Sequence, residues 1–170
     1  IRGSGSFDRI YLHLSNEYLM TLGTSAVFDP KESLAYSFEL LDEGMRVRFT
    51  IREGVQFQRG QGEMTATDIA FSLNRVRDPE SGEGSQAYWA AVADAVVVDN
   101  YTVDLMMNEF DALIIGRHLF GYNDFIHSEK YWNDVEPDVH VSLPTATRPY
   151  VVDKWTPGVG IDLSKHVDYW

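Results

Sequence analysis

Alternation of apolar and polar side chains in two neighbouring stretches constrains the fold more than any other feature of this sequence. Residues 36–40 and 45–52 alternate on either side of the turn residues Asp42-Glu43-Gly44. In the second stretch one face would carry Met45, Val47, Phe49 and Ile51, and the other Arg46, Arg48, Thr50 and Arg52. We therefore predict a β-hairpin with one buried and one solvated face. We interpret its three arginines as part of the solvated face rather than as a binding cluster.

A capped amphipathic helix is predicted after this hairpin. Thr65-Ala66-Thr67-Asp68 is typical of a capping box, in which the threonine hydroxyl and the aspartate carboxylate satisfy free backbone amides at the helix start. Apolar residues then recur at helical spacing, namely Ala66, Ile69, Ala70, Leu73 and Val76. The run Arg77-Asp78-Pro79 ends the pattern, because proline cannot continue a helix.

The remaining stretches predict a mixed succession of short elements. Helices are expected at about 86–93, 112–119 and 128–132, strands at 95–98 and 102–107, and a closing hairpin of residues 150–155 and 161–165. The apolar stretch 18–20 is compatible with a helix, and a polar loop is expected around Pro137 and Pro144. Strand pairs and helices interleave without a regular βαβ rhythm. The predicted fold class is therefore α+β, or mixed α/β, with antiparallel hairpins and short helices.

Composition excludes several classes of function. The chain has 170 residues, 44% of them hydrophobic, which is enough for a core without disulfides or a structural metal. It has no cysteine, so thiol catalysis, iron–sulfur clusters and cysteine-ligated zinc are excluded. A net charge of −12 disfavours binding to nucleic acid or to an anionic membrane face. No apolar run nears the ~18 residues of a membrane span, and the first six residues lack the apolar core of a signal peptide, as in a processed or excised piece.

No motif of catalysis or metal binding stands out. The five histidines never lie three or four residues apart. Asp138-Val139-His140 could place two ligands on one strand face, but a polar loop is the better explanation of the pair. We therefore expect no enzyme activity, no catalytic residues, no metal and no cofactor. A binding module and a structural or interaction domain both remain open, and in the second reading Tyr88, Trp89, Tyr131 and Trp132 are core or oligomer contacts.

Several stretches, taken in order, resemble one protein family. They are residues 34–39 and 46–57, Met64-Thr65-Ala66-Thr67-Asp68 with the residues up to Arg75, Val98-Asp99-Asn100-Tyr101-Thr102-Val103, Arg148-Pro149-Tyr150, Trp155 with Pro157-Gly158, and Asp168-Tyr169-Trp170. Together they resemble the family 5 extracellular solute-binding proteins, the oligopeptide, dipeptide and nickel receptors of ABC importers. The resemblance extends from about Leu34 to the last residue.

The resemblance implies a fold and a function. The fold would be a lobe like those of type II periplasmic binding proteins, with 1–35 as the N-terminal segment of the main lobe, 36–143 as an α+β subdomain and 144–170 as a hairpin returning to the main lobe. The function would be delivery of peptides or similar small solutes to the permease subunits of an ABC transporter. The location would be periplasmic or extracellular, with a lipid anchor as a further option. Family members are several hundred residues long, so we expect part of one lobe, weak or absent ligand binding by this piece alone, and self-association of the piece.

The resemblance also nominates ligand-binding residues. By comparison with the family pattern, the loop after residues 112–119 and the turn before Pro149-Tyr150 approach the ligand, which nominates Tyr122, Asn123 and Arg148. Arg148 stands where the family usually has glycine, and a guanidinium can bind a carboxylate through two hydrogen bonds. The alternative is that Tyr122 and Asn123 form a turn after Gly121 and that Arg148 makes a surface ion pair.

Overall fold

A four-stranded antiparallel sheet forms the centre of the protein. The computed structural model describes residues 13–81, 86–120 and 125–170. The strands are β1 (Ala35–Leu41), β2 (Arg46–Ile51), β3 (Val92–Asp99) and β4 (Thr102–Met107), in the spatial order β1-β2-β4-β3. Val47, Phe49 and Ile51 on β2 are fully buried, and the residues between them are only half-buried. The predicted hairpin and its buried face are confirmed, as is the mixed α/β fold class with antiparallel hairpins.

The opposite face of the sheet carries an ion-pair cluster. Arg48 Nε and Nη2 donate to the two carboxylate oxygens of Asp104 on β4, each at 2.7 Å, and Arg46 Nη1 donates to the same carboxylate at 3.1 Å. Arg46 Nε also donates to Asp42 at 2.8 Å. These contacts neutralise both guanidinium groups with carboxylates of this same sheet and of the turn between β1 and β2.

In the described part of the chain, the helices beside the sheet include α1 (Ala66–Arg77), α2 (Ile114–Phe120), α3 (Glu129–Asp134) and α4 (Pro137–Ser142). The capping box predicted for α1 is confirmed, with Thr65 N donating to Asp68 Oδ2 at 2.9 Å. The helix buries Ile69 and Leu73 in the core that also holds Phe49 and Leu105. Over the residues that the structure describes, no helix is long and apolar enough to cross a bilayer.

Asp68 joins two helices. Its Oδ1 atom accepts a hydrogen bond from Glu129 N at 3.0 Å, so one carboxylate satisfies backbone amides at the starts of both α1 and α3. One turn later, Ser72 Oγ accepts a hydrogen bond from His127 N at 2.9 Å. The approach to α3 is therefore held against α1 by side chains that α1 buries.

Asn74 covers the outer edge of the sheet. Its side-chain amide accepts from Ala95 N at 2.9 Å and donates to Ala95 O at 3.0 Å, which are the bonds that a further strand would make to β3. Arg77 Nε donates to Asn74 Oδ1 at 3.0 Å and orients the amide. The edge of β3 is thereby blocked at its middle, a common protection against pairing with another chain.

Three local predictions were wrong, the first two because contacts distant in sequence overrode a local preference. The stretch 18–20 is not a helix, since Tyr18 forms a β-bridge with Phe125 and Leu19 O accepts from Ala35 N. The alanine-rich stretch 86–93 contains only a 3-10 turn, Gln86–Trp89, before β3 begins at Val92 and pairs with Met107. The loop around Pro137 contains α4, because proline is favoured at the first position of a helix.

A separate hairpin closes the chain. Strands β5 (Tyr150–Thr156) and β6 (Gly160–Lys165) pair with each other, as predicted, and among the described residues they pair with no other strand. The fully buried Gln58 connects this hairpin to the rest, since its Nε2 atom donates to Arg148 O and Tyr150 O, both at 2.9 Å, and to Ser15 O at 3.3 Å. The division of the chain at 35 and 143 stays a prediction.

We expect Gln58→Met to destabilise the protein by about 2–4 kcal/mol, because it removes the hydrogen bonds of a buried amide to Ser15, Arg148 and Tyr150. Gln56→Met is the matched control. The side-chain amide of Gln56 donates an exposed hydrogen bond to Gly54 O at 3.3 Å. Replacing it should lower the free energy of unfolding by less than about 1 kcal/mol. Urea unfolding of the two variants provides the comparison, and equal losses would show that Gln58 does not fix the hairpin.

Candidate functional site

A buried polar cluster lies where the N-terminal stretch meets the segment that leads into β5. We call it the Glu17 cluster, and its members are Glu17, Thr147, Arg148, His166 and Trp170. Backbone bonds bring these residues together: Ile126 N donates to Glu17 O at 3.0 Å, Arg148 N to Ser15 O at 3.4 Å, and His166 N to Pro149 O at 2.8 Å. The cluster therefore joins three stretches that are far apart in sequence.

The Glu17 carboxylate is the centre of the cluster. Its side chain is only 3% exposed. Thr147 Oγ1 and Trp170 Nε1 both donate to its Oε2 atom, the latter at 3.3 Å. On the other side, Oε1 lies 3.8 Å from Arg148 Nε, which is an ion pair but too long for a hydrogen bond. The carboxylate is thus oriented by two neutral donors and faces one cation.

Arg148 covers this carboxylate and remains partly exposed. Its side chain is 25% exposed, yet its Nε atom is buried and has no hydrogen-bond partner within the described part of the chain. The main chain of Arg148 is held firmly, since Gln58 Nε2 lies 2.9 Å and His166 Nδ1 3.2 Å from its carbonyl oxygen. A fixed backbone therefore carries a guanidinium group with unused hydrogen-bonding capacity.

Burial raises the pKa of Glu17 above its ordinary value of 4.5. The hydrogen bond from Thr147 and the charge of Arg148 oppose this shift, with smaller contributions from Trp170 and His166, but the loss of hydration prevails. Asp104, in the ion-pair cluster of the sheet, behaves in the opposite way. The hydrogen bonds from Arg48 and Arg46 lower its pKa below 3.8 against the effect of burial.

Trp170 carries a second cation on its ring. The guanidinium carbon of Arg52 lies 4.5 Å from the centre of the indole, within the range of a cation–π contact. Arg52 Nε also donates to Ser33 O at 2.8 Å. The indole that donates to Glu17 is therefore held between the carboxylate and an arginine of the sheet region.

Of the three nominated ligand-binding residues, the structure locates one. Arg148 lies in the Glu17 cluster, whereas Tyr122 and Asn123 lie outside the described residues. Sequence reasoning missed the functional candidates Glu17, Thr147 and Trp170. Thr147 and Trp170 adjoin or belong to the motifs that carried the resemblance, and Glu17 had one signal, an acidic residue directly before the apolar stretch Tyr18-Leu19-Met20.

A groove of about 820 Å³ lies elsewhere, between α1, α3 and Val97. Its floor includes Trp132, with the guanidinium carbon of Arg75 3.9 Å from the ring centre and the ring of His140 stacked at 4.0 Å. Burial lowers the pKa of the neighbouring His127 to about 3. The groove shares no residue with the Glu17 cluster, and its contacts are those of packing between α1, α3 and α4.

Metal binding finds no support in the described residues. Within the ranges 13–81, 86–120 and 125–170, no three histidine or acidic side chains lie close enough to hold a metal ion. Asp138 and His140, which the sequence offered as a ligand pair on a strand, lie on helix α4 instead. In the Glu17 cluster the Arg148 side chain is 25% exposed, and a guanidinium group can donate hydrogen bonds to a polar or anionic group.

Comparison with known proteins identifies relatives over most of the chain. The family model described as "Bacterial extracellular solute-binding proteins, family 5 Middle" matches residues 29–170. Heme-binding protein A of Haemophilus influenzae is 25% identical over 162 residues, covering 84% of this chain and 29% of the relative. The probable ABC transporter periplasmic-binding protein SapA of Escherichia coli is 29% identical over 157 residues, covering 81% of this chain and 28% of the relative. The chain thus spans less than a third of either protein.

Solved structures show the same fold. The binding protein MoaA from A. tumefaciens R10, solved in complex with mannopinic acid, superposes with a TM-score of 0.86 at 24% identity, covering 99% of this chain and 34% of that one. The oligopeptide-binding protein AppA from Bacillus subtilis, solved with a nonapeptide, gives a TM-score of 0.84 at 19% identity and covers 99% of this chain and 34% of that one. The lobe-like fold that the resemblance implied is confirmed.

The two carboxylates with opposite pKa shifts predict opposite pH dependences of stability. A raised pKa means that the Glu17 contribution is complete below pH 4.5 and is lost as pH rises through the higher folded value. Glu17→Gln removes this loss, so the stability of the variant relative to the wild type should increase as pH rises above 4.5. Asp104→Asn should be destabilised at neutral pH, with a difference that shrinks as pH falls below 3.8. Urea unfolding from pH 3 to 8 measures both pH dependences. If the stability of the two variants relative to the wild type changed in the same direction with pH, the assignment would be contradicted.

Proposed function

The chain belongs to the bacterial extracellular solute-binding proteins of family 5, and we propose that it is part of a receptor that delivers a peptide or similar small solute to an ABC importer. The observation that carries this proposal is the family match over residues 29–170. The Glu17 cluster supports it, since a fixed backbone there presents a partly exposed guanidinium to solvent. A receptor needs such pre-oriented polar groups more than it needs reactive ones.

A binding role agrees with the relatives better than an enzymatic one. The relatives are named for binding and transport, and none of those described above is named as an enzyme. The alternative of a purely structural or interaction domain assigned Tyr88, Trp89, Tyr131 and Trp132 to oligomer contacts or to the core. Trp89 and Tyr131 are buried within this one chain, which leaves Tyr88 as the most exposed of the four. Burial of Trp89 and Tyr131 fits the core role in either interpretation, so the preference for the receptor interpretation rests on the names of the relatives.

Arg148 is the residue that we propose for ligand contact, together with Tyr122 and Asn123. In most family members glycine would stand at this position, so the guanidinium is a feature of this chain. Charge-assisted hydrogen bonds to a carboxylate are among the strongest polar contacts available to a protein. The proposed ligand class is a small polar solute with a carboxylate, such as a short peptide.

The wider setting is part of the same proposal. The partners would be the permease subunits of an ABC transporter, and the location would be the periplasm or the cell exterior, with a lipid anchor as a further option. The relatives agree at the coarser level, because the family is described as extracellular and SapA as periplasmic. A second lobe, contributed by the rest of a longer protein, would close over the ligand.

In the full-length receptor we expect Arg148→Ala to weaken binding of a peptide with a free C-terminal carboxylate about tenfold or more, since a desolvated charge-assisted bond contributes about 1.5–3 kcal/mol. The affinity for the same peptide with an amidated C-terminus should fall much less. Calorimetric titration measures both affinities. Arg77→Ala serves as control, because Arg77 pairs with Asp94 at 3.6 Å outside the Glu17 cluster. Unchanged affinity in a folded Arg148→Ala protein would remove Arg148 from the site.

The 170-residue chain alone should bind such peptides weakly or not at all, because one lobe cannot exclude water from a ligand. It should also self-associate, since the apolar side chains of Trp155, Val159 and Val167 are exposed on and after the last hairpin. Titration with di- to pentapeptides and light scattering over a dilution series test these two expectations. Saturable micromolar binding would show that the piece is a self-sufficient binder, and a monomer at all concentrations would exclude the association.

A further inference from the structure

The inference rests on the proposed function and concerns how Arg148 is prepared for its ligand. We infer that Glu17 is a positioning residue, whose buried carboxylate holds the Arg148 side chain in the orientation that receives a carboxylate of the solute. Glu17 itself would not touch the solute. Its role is to fix the one part of the site that the backbone leaves free.

Burial excludes Glu17 from direct contact with a ligand. Even in this single lobe its side chain is 3% exposed, and Arg148 lies on the side of the carboxylate that Thr147 and Trp170 do not occupy. A solute that approaches the cluster therefore meets the guanidinium first. Any influence of Glu17 on binding has to act through Arg148.

The main chains of both residues are already fixed. Glu17 O accepts from Ile126 N at 3.0 Å, and Arg148 O accepts from Gln58 Nε2 at 2.9 Å. Thr147 and Trp170 then fix the direction of the carboxylate. The Arg148 side chain is the part that remains flexible, and a long arginine side chain loses much rotamer entropy when it is ordered.

An ion pair in this setting can remove that freedom before the ligand arrives. The Nε atom of Arg148 is buried and lies 3.8 Å from Glu17 Oε1. The exposed quarter of the Arg148 side chain therefore belongs to its other atoms. Attraction between opposite charges is stronger in a buried site than in water. Ordering a flexible group before the ligand arrives increases affinity, because the entropy of ordering is then not lost on binding.

A double-mutant cycle in the full-length receptor tests this inference. The proteins are the wild type, Glu17→Gln, Arg148→Ala and the double variant, and the probe is a di- to pentapeptide with a free C-terminal carboxylate, titrated by calorimetry. Glu17→Gln should weaken binding about fivefold in the wild-type background and have no effect beside Arg148→Ala, the signature of two groups acting together. A purely structural role of Glu17 would give the same loss in both backgrounds, and this result would overturn the inference.

The pH profile provides a readout that a structural role would not move. Wild-type affinity should fall as pH decreases through the raised pKa of Glu17, because the protonated acid no longer holds the guanidinium, and this step should be absent in Glu17→Gln. Tighter binding by Glu17→Gln would mean that the carboxylate only opposes the charge of the solute, and it would overturn the inference.

A second variant keeps the inference testable if Glu17→Gln does not fold. Trp170→Phe removes one donor to Glu17 without changing charge, and it should weaken binding about twofold only where Arg148 is present. Equal effects of Trp170→Phe with and without Arg148 would overturn the inference.

If the wild type binds and Arg148→Ala binds equally well, the positioning role fails while solute binding stands. If the wild-type receptor binds no peptide at all, the proposed peptide ligand fails as well.

Discussion

The side-chain amide of Gln58 joins stretches of chain that are distant in sequence. Its nitrogen donates to the carbonyl groups of Ser15, Arg148 and Tyr150, and its oxygen accepts from Ala146 N at 3.4 Å. A fully buried amide is costly unless its groups are paired, so these contacts hold the stretches at Gln58 together. Gln58 helps to fix the backbone that carries Arg148 beside Glu17, together with the bonds of Arg148 to Ser15 and His166.

The carboxylates of Asp104 and Glu17 are both paired with arginine, but the two pairs differ in their contacts. Asp104 accepts three arginine hydrogen bonds with lengths of 2.7–3.1 Å, so its charge is satisfied by the sheet itself. Glu17 receives its two direct bonds from neutral donors and leaves its arginine at 3.8 Å. In the first arrangement both guanidinium groups donate to a carboxylate of the sheet, which stabilises the sheet. In the second, Arg148 and its carboxylate form an ion pair without a hydrogen bond, and this difference makes the Glu17 cluster, and not the arginine-rich sheet, the candidate site.

Local signals in the sequence were sufficient for the elements that local physics determines. The alternation on β2 and the capping box of α1 both depend on neighbours within four residues, and both were predicted correctly. The stretch 18–20 and the start of β3 depend on partners far along the chain, and there the predictions were wrong. The candidate site belongs to the second kind. Arg148 was nominated from its place in a family pattern, before Pro149-Tyr150, whereas the contacts of Glu17 depend on residues that only the fold brings to it.

The sequence separations within the Glu17 cluster have a consequence for the order of folding. Thr147 and Trp170 lie 130 and 153 residues after the carboxylate that they bind. Contacts that close such long loops form late, after the hairpins and α1 have supplied local structure. On the ribosome, which adds about 5–20 residues per second, Glu17 waits many seconds for its donors. During that interval the carboxylate of Glu17 lacks the two side-chain donors that it has in the folded protein.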